Sequence, residues 1–185
     1  NAWMYRDWVI AALNEDMPYN RFVQLQLAAD LIEPENAAVQ PALGFIGLGP
    51  KYYRRNDPEV MAEEWEDRID VVTRGLQGLT VACARCHDHK YDPIPTEDYY
   101  ALAGVFASTE MHNSPLKSAE PPDEKKDDKK KDKNKTENAL HVIRDSKPQD
   151  LAVMIRGNVD NQGDIVPRGY LQVMFEGPRR TFHEG

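Results

Sequence analysis

Only two cysteines occur in the 185 residues. That is too few for a disulfide framework, so their number says nothing about an oxidising compartment. Long apolar runs are missing as well. None approaches the roughly 20 residues a helix needs to span a bilayer, and no secretory leader is visible. The chain also lacks a positive surplus. Its 23 Lys and Arg stand against 31 Asp and Glu, a formal charge of −8, which argues against a phosphate-attracting groove for nucleic acid. An initiating methionine is absent and a helical pattern begins almost at once, so the expectation is an internal piece of a longer protein. What is present suffices for a core: 41% of the residues are apolar.

The opening reads as a helix, with Trp3, Trp8, Val9 and Ala12 at helical spacing and Leu13 beside them. It should end near Asn14, because Met17-Pro18 disfavours continuing. Asn20 is the expected N-cap of a second helix, whose apolar stripe would be Phe22, Val23, Leu27 and Leu31. The clearest helix follows Asp57, with Pro58 in its first turn and the acids Glu59, Glu63 and Glu64 near its start. Its stripe is Met61, Trp65, Ile69, Val72, Leu76 and Leu79. It should fray near Gly75 or Gly78. Asp67 and Arg68 are expected on a solvated face. Beyond Asp92-Pro93, Thr96 is the expected cap of another helix carrying Glu97 and Asp98 in its first turn.

Residues 117–138 alternate lysine with acid and contain no large apolar side chain. Such a run cannot bury enough surface to offset its ordering entropy, which predicts a disordered linker. After it, Leu151, Val153 and Ile155 alternate as on one face of a strand. Residues 160–164, DNQGD, read as a turn, and a second short apolar piece follows. The expectation is therefore a mainly α protein. It comprises a small helical domain over 1–116, which the motif described next makes cytochrome-c-like, a charged linker over 117–138, and a truncated β-containing second module over 139–185.

The chemistry concentrates in Cys83-Ala84-Arg85-Cys86-His87. This spacing is the attachment signature of c-type haem. Two thiols add across the two vinyl groups of the porphyrin, and the adjacent histidine is held under the iron as its axial ligand. Other readings of the same residues stay open. Zinc could be held by Cys83, Cys86, His87 or His89 and one outside ligand. A thioredoxin-like dithiol lacks its usual βαβ setting. The cysteines could also be structural.

The stretch GLTVACARCHDHKYDPIPTEDYYALAGVFAST closely resembles the core motif of the planctomycete-type cytochrome-like family, domain of unknown function 1549. YRDWVIAALNEDMPYNRFVQLQLAADLI is similar to that family's N-terminal helix pair. VMIRGNVDNQGDIVPRGYLQVM resembles the opening of a companion family, domain of unknown function 1553. The resemblance implies haem c attached at Cys83 and Cys86 with His87 as the axial iron ligand. It implies an exported, multidomain protein in which a redox partner protein or an adjacent haem domain exchanges electrons with this one. Asp88, His89, Lys90, Asp92 and Pro93 also match the pattern. Ala82 stands where glycine is common, and Tyr91 where phenylalanine is common.

A sixth iron ligand would come from Met111 or His112, after the following helix; methionine there raises the potential and histidine lowers it. His141 and His183 are weaker candidates, and Met154 and Met174 read as core. His89 suits a hydrogen-bonding, second-shell place. Asp88 joins it there, or else caps a helix beside the Asp92-Pro93 turn. Trp65, Tyr99 and Tyr100 read as pocket wall or as core, and Arg156 and Arg168 as surface-turn residues. Three functions compete. The first is an exported haem carrier in the periplasm or another extracytoplasmic space. The second is an extracellular polysaccharide-processing enzyme, for which no catalytic constellation is visible. The third is a zinc-binding or structural module.

Overall fold

The computed structural model describes residues 1–49, 57–115 and 139–182. The charged stretch 117–138 and His183 lie outside them. The described residues are mainly helical, with five α-helices and two small two-stranded sheets towards the C-terminus. The chain divides into two compact units that do not follow chain order. One comprises Asn1–Gly49 and Met111–Arg144, the other Pro50–Glu110 and Asp145–Gly185.

In the first unit, α1 (Ala2–Asn14) and α2 (Tyr19–Ile32) are joined by a short turn around Met17-Pro18. The helix ends where the residue before proline is pushed out of the α region. A 3-10 turn, Gln40–Leu43, runs into the short α3 (Gly44–Gly47). The core is built from Trp8, Ala12, Leu25, Ala29, Ala42, Leu43, Leu140 and Val142. Trp8 stacks on Phe22 with ring centroids 5.2 Å apart. Leu140 and Val142 come from β2 (Ala139–Asp145), which pairs with β1 (Thr109–Pro115).

Three expectations for these helices fail. Trp3 and Leu13 are exposed, as are Leu27 and Leu31. The buried line of α2 is Leu25, Gln26 and Ala29, with Phe22 packed against the same core, a helical stripe displaced from the one through Leu27 and Leu31. Asn20 does not cap α2; it lies inside the first turn, behind Pro18.

The second unit is organised around α5 (Thr96–Ala107), which buries Asp98, Tyr99, Tyr100, Ala101, Ala103, Gly104 and Phe106. Against it pack α4 (Pro58–Gln77), a 3-10 turn (Val81–Arg85), and β3 (Leu151–Met154). The start of α4 is as read: the Asp57 carboxylate accepts from the Glu59 amide at 3.1 Å, and Pro58 follows. It stops at Gly78, whose φ of 70° is the left-handed conformation that suits glycine at a helix end. Its buried face differs from the apolar stripe. Ile69 is buried, but so are Glu64 and Arg68, four residues apart and paired with each other. Arg68 is therefore not on a solvated face.

β3 pairs antiparallel with β4 (Gln162–Val166) in the register Leu151↔Val166, Ala152↔Ile165 and Met154↔Gln162, with a bulge between Ala152 and Met154. Leu151 and Met154 are buried and the two residues between them are half-buried, so β3 does not show a strict two-residue alternation. Ile155 is exposed instead of continuing the face, and Met174 is exposed rather than core. Arg168 is buried, not a surface-turn residue: its backbone amide and Nε both donate to Asp150 Oδ1, at 3.0 and 3.1 Å.

Candidate functional site

The cysteine motif sits on the Val81–Arg85 turn and the residues that follow it. A 3-10 helix has three residues per turn, so positions three apart eclipse one another. The sequence exploits that period. Val81 and Ala84 are fully buried and anchor the turn, while Cys83 and Cys86 are exposed free thiols on the other side. His87 is exposed beside them. Its Nδ1 lies 2.8 Å from the Asp88 carbonyl oxygen. A carbonyl only accepts, so Nδ1 carries the proton, and the lone pair is left on Nε2.

His89 does the opposite. Its side chain is 6% exposed. Nδ1 accepts from the Asp92 amide at 2.9 Å and the Tyr91 amide at 3.2 Å, so Nε2 is the protonated nitrogen and donates to Thr80 Oγ1 at 2.8 Å. Both ring nitrogens are used inside the protein. The ring ties the front of the motif to the Asp92-Pro93 turn and is not offered as a ligand.

Asp88 Oδ1 accepts from the amide and the hydroxyl of Thr96. Thr96 was the expected cap of α5; instead it is the first helical residue, and Asp88 supplies the capping oxygen from across the loop. Tyr100 holds the turn from below, its single hydroxyl hydrogen shared between the Arg85 carbonyl at 2.9 Å and the Met154 carbonyl at 3.2 Å. Burial raises the pKa of Tyr100 to about 12 and pushes Tyr99 up as well. The two rings meet edge to face with centroids 5.0 Å apart. They are core beneath the motif rather than walls of an open pocket.

A cleft of about 450 Å³ lies beside the turn, lined by residues including Glu66, Asp67, Asp70, Arg74, Ala82 and Arg85. Its lining is charged. Burial raises the Asp67 carboxyl above its usual value despite the neighbouring Arg68. Arg85 Nη1 donates to Glu66 Oε2, and the buried Arg85 Nε has no hydrogen-bond partner among the described residues.

The structure thus gathers Cys83, Cys86, His87, Asp88 and His89. Met111 and His112 lie on β1 and belong to the other compact unit. Among the described residues no three His, Cys, Asp or Glu side chains group as a metal site, so the zinc reading lacks a ligand set there. Both thiols are exposed, and the next imidazole presents an unused nitrogen.

Sequence reasoning missed one participant. Gly157, in the turn Ile155–Gly157 after β3, lies against Cys86: a Cβ on Gly157 would come 2.5 Å from the Cys86 sulfur. A glycine after a strand signals a turn, but nothing local says what the turn will touch.

A model of the family described as a protein of unknown function (DUF1549) matches residues 1–111. No curated protein and no solved structure matches the chain. Among the described residues no helix is long and apolar enough to cross a membrane.

Proposed function

The chain belongs to the DUF1549 family, and we propose that it is an exported c-type haem-binding unit that passes electrons within a larger, multidomain oxidoreductase-like protein. One observation carries the reading. The three-residue period of the Val81–Arg85 turn buries Val81 and Ala84 and leaves Cys83 and Cys86 exposed, with His87 Nε2 unused beside them.

Cys83 and Cys86 would hold the porphyrin and His87 Nε2 its iron. Each thiol adds across one vinyl double bond: S–H breaks, S–C forms, and the hydrogen goes to the other vinyl carbon, with no net oxidation. The bound group supplies one-electron chemistry at iron. The chain's own part is positional. Asp88 fixes the His87 ring through its carbonyl and caps α5 through its carboxylate. His89 closes the loop behind the motif. The second unit's β3 and β4 belong, on this reading, to the companion module that the sequence resembles.

Location follows from the attachment chemistry, which takes place outside the cytoplasmic membrane; the mature protein is then periplasmic or otherwise extracytoplasmic. The electron partner is an adjacent haem domain or a separate redox protein.

The test is to express the full-length protein with haem-maturation machinery, denature it, and record the pyridine haemochrome spectrum. Haem that stays with the polypeptide, and is lost in Cys83→Ala/Cys86→Ala, is the expected result. Colourless mature protein whose two thiols are both alkylated in full would end the proposal.

A further inference from the structure

The turn Ile155–Gly157 lies outside the residues that match the family, yet it meets the motif at one of its two sulfurs. We propose that this turn positions Cys86 and that Gly157 is its positioning residue: the missing side chain makes the space the Cys86 sulfur occupies. The atoms nearest a Cβ at Gly157 are those of Cys86 and Arg85 Nε, so the turn meets the second cysteine of the motif.

Three observations support this independently. The first is steric. A Cβ on Gly157 would lie 2.5 Å from Cys86 Sγ, closer than side-chain carbons approach sulfur, and 3.8 Å from Cys86 Cβ. The second is conformational. Arg156 and Gly157 are consecutive left-handed residues, with φ of 56° and 74°. A non-glycine residue adopts that conformation at a cost, and such costs persist where the surroundings impose them. The third is a hydrogen-bonded link. The Tyr100 hydroxyl reaches the Arg85 carbonyl and the Met154 carbonyl together. Arg85 immediately precedes Cys86, and Met154 immediately precedes the turn. The buried Tyr100 therefore joins the two segments at the point where Gly157 meets the sulfur.

The seating of the sulfur concerns the protein alone. Its consequence for attachment rests on the haem reading above: a displaced Cys86 no longer adds to its vinyl group, while Cys83 still does. The site is then composite, built by a family-matched segment and a later one, and the later segment decides how the second thioether forms.

The experiment begins with the haem-free full chain. Urea midpoints are measured for wild type, Gly157→Ala, Cys86→Ala and the double variant. Removing the sulfur removes the clash, so Gly157→Ala should shift the midpoint less in the Cys86→Ala background than in wild type. The backbone strain of alanine at φ 74° is common to both backgrounds and cancels. Additive shifts would overturn the proposal. The second readout is the alkylation rate of each cysteine, resolved by peptide mass spectrometry. Tyr100→Phe releases the link without adding a side chain, and it decides the matter if Gly157→Ala does not fold in either background. The rate at Cys86 should rise several-fold while that at Cys83 stays the same. Equal changes at both cysteines, or none, would overturn the proposal. In chain matured with haem, Gly157→Ala should carry its thioether at Cys83 alone, seen as a haemochrome band displaced from the two-thioether position. A wild type that takes up no haem defeats the functional reading and leaves the seating of Cys86 to the first two measurements.

Discussion

Asp88 and Thr96 are joined twice: Asp88 Oδ1 accepts from the Thr96 backbone amide at 2.9 Å and from its hydroxyl at 3.2 Å. One carboxylate thus satisfies the first orphan donor of α5 and anchors the residue that follows His87. Asp88→Ala should cost about 1 kcal/mol, the usual loss for a helix cap. Asp88→Asn keeps an oxygen acceptor and should retain most of the stability. Urea midpoints for the two variants check this; an unchanged midpoint in Asp88→Ala would sink it.

Glu64 and Arg68 form a buried pair one helical turn apart on α4, and Arg68 also donates to Thr109 Oγ1. Removing one partner leaves an uncompensated charge in the interior. Arg68→Leu should destabilise by about 3–5 kcal/mol. The double variant Glu64→Leu/Arg68→Leu should be more stable than Arg68→Leu alone, because neither charge is then stranded. Thermal or urea unfolding of the single and double variants separates these outcomes, and a double variant weaker than the single contradicts the argument.

Alkaline pH should unfold the second unit through its buried phenols. Burial raises Tyr100 to about 12 from a reference of 10.0, and Tyr99 is raised too. An acid whose pKa is higher folded than unfolded favours the folded state below the unfolded value and loses that contribution as pH rises through the folded one. Stability should therefore fall from about pH 10 upward. Phenolate absorbance from these two residues should appear together with loss of helical circular dichroism. Tyr100→Phe should flatten the slope. Full phenolate absorbance at undiminished helicity would refute the account.

His87 and His89 should fail in different ways. In haem-loaded protein, His87→Ala should leave the porphyrin attached through its two thioethers but change the Soret band, because the axial nitrogen is gone. His89→Ala should leave the band in place and cost about 1–3 kcal/mol of stability, since two backbone amides and the Thr80 hydroxyl lose their partner. A swap of these two outcomes would reverse the assignment of ligand and scaffold.

Much of this was legible locally. Asp57, Pro58 and Gly78 bound α4 through capping and left-handed geometry, which depend on adjacent residues only. The Cys-x-x-Cys-His spacing is read directly along the chain. The α2 stripe was misread because two helical faces carry apolar residues, and the one with Phe22, Leu25 and Ala29 is the one that meets the core. The β3 face was misread because the strand ends at Met154 and Ile155 already belongs to the turn Ile155–Gly157. Arg68 and Arg168 look like surface residues until Glu64 and Asp150 are found beside them. A charge is exposed by default, and only its partner's position makes burial affordable.

The sequence by itself determined the bounds of α4 and the place of the thiols and the histidine. Those properties follow from dihedral preferences and side-chain spacing within a few residues. Tertiary structure alone decided that the chain interleaves two units, which of its two readings Asp88 takes, and that Gly157 makes room for Cys86. Each is a contact between segments separated along the chain. Such contacts are selected by how buried surfaces and hydrogen-bond donors are satisfied together, which no local pattern records.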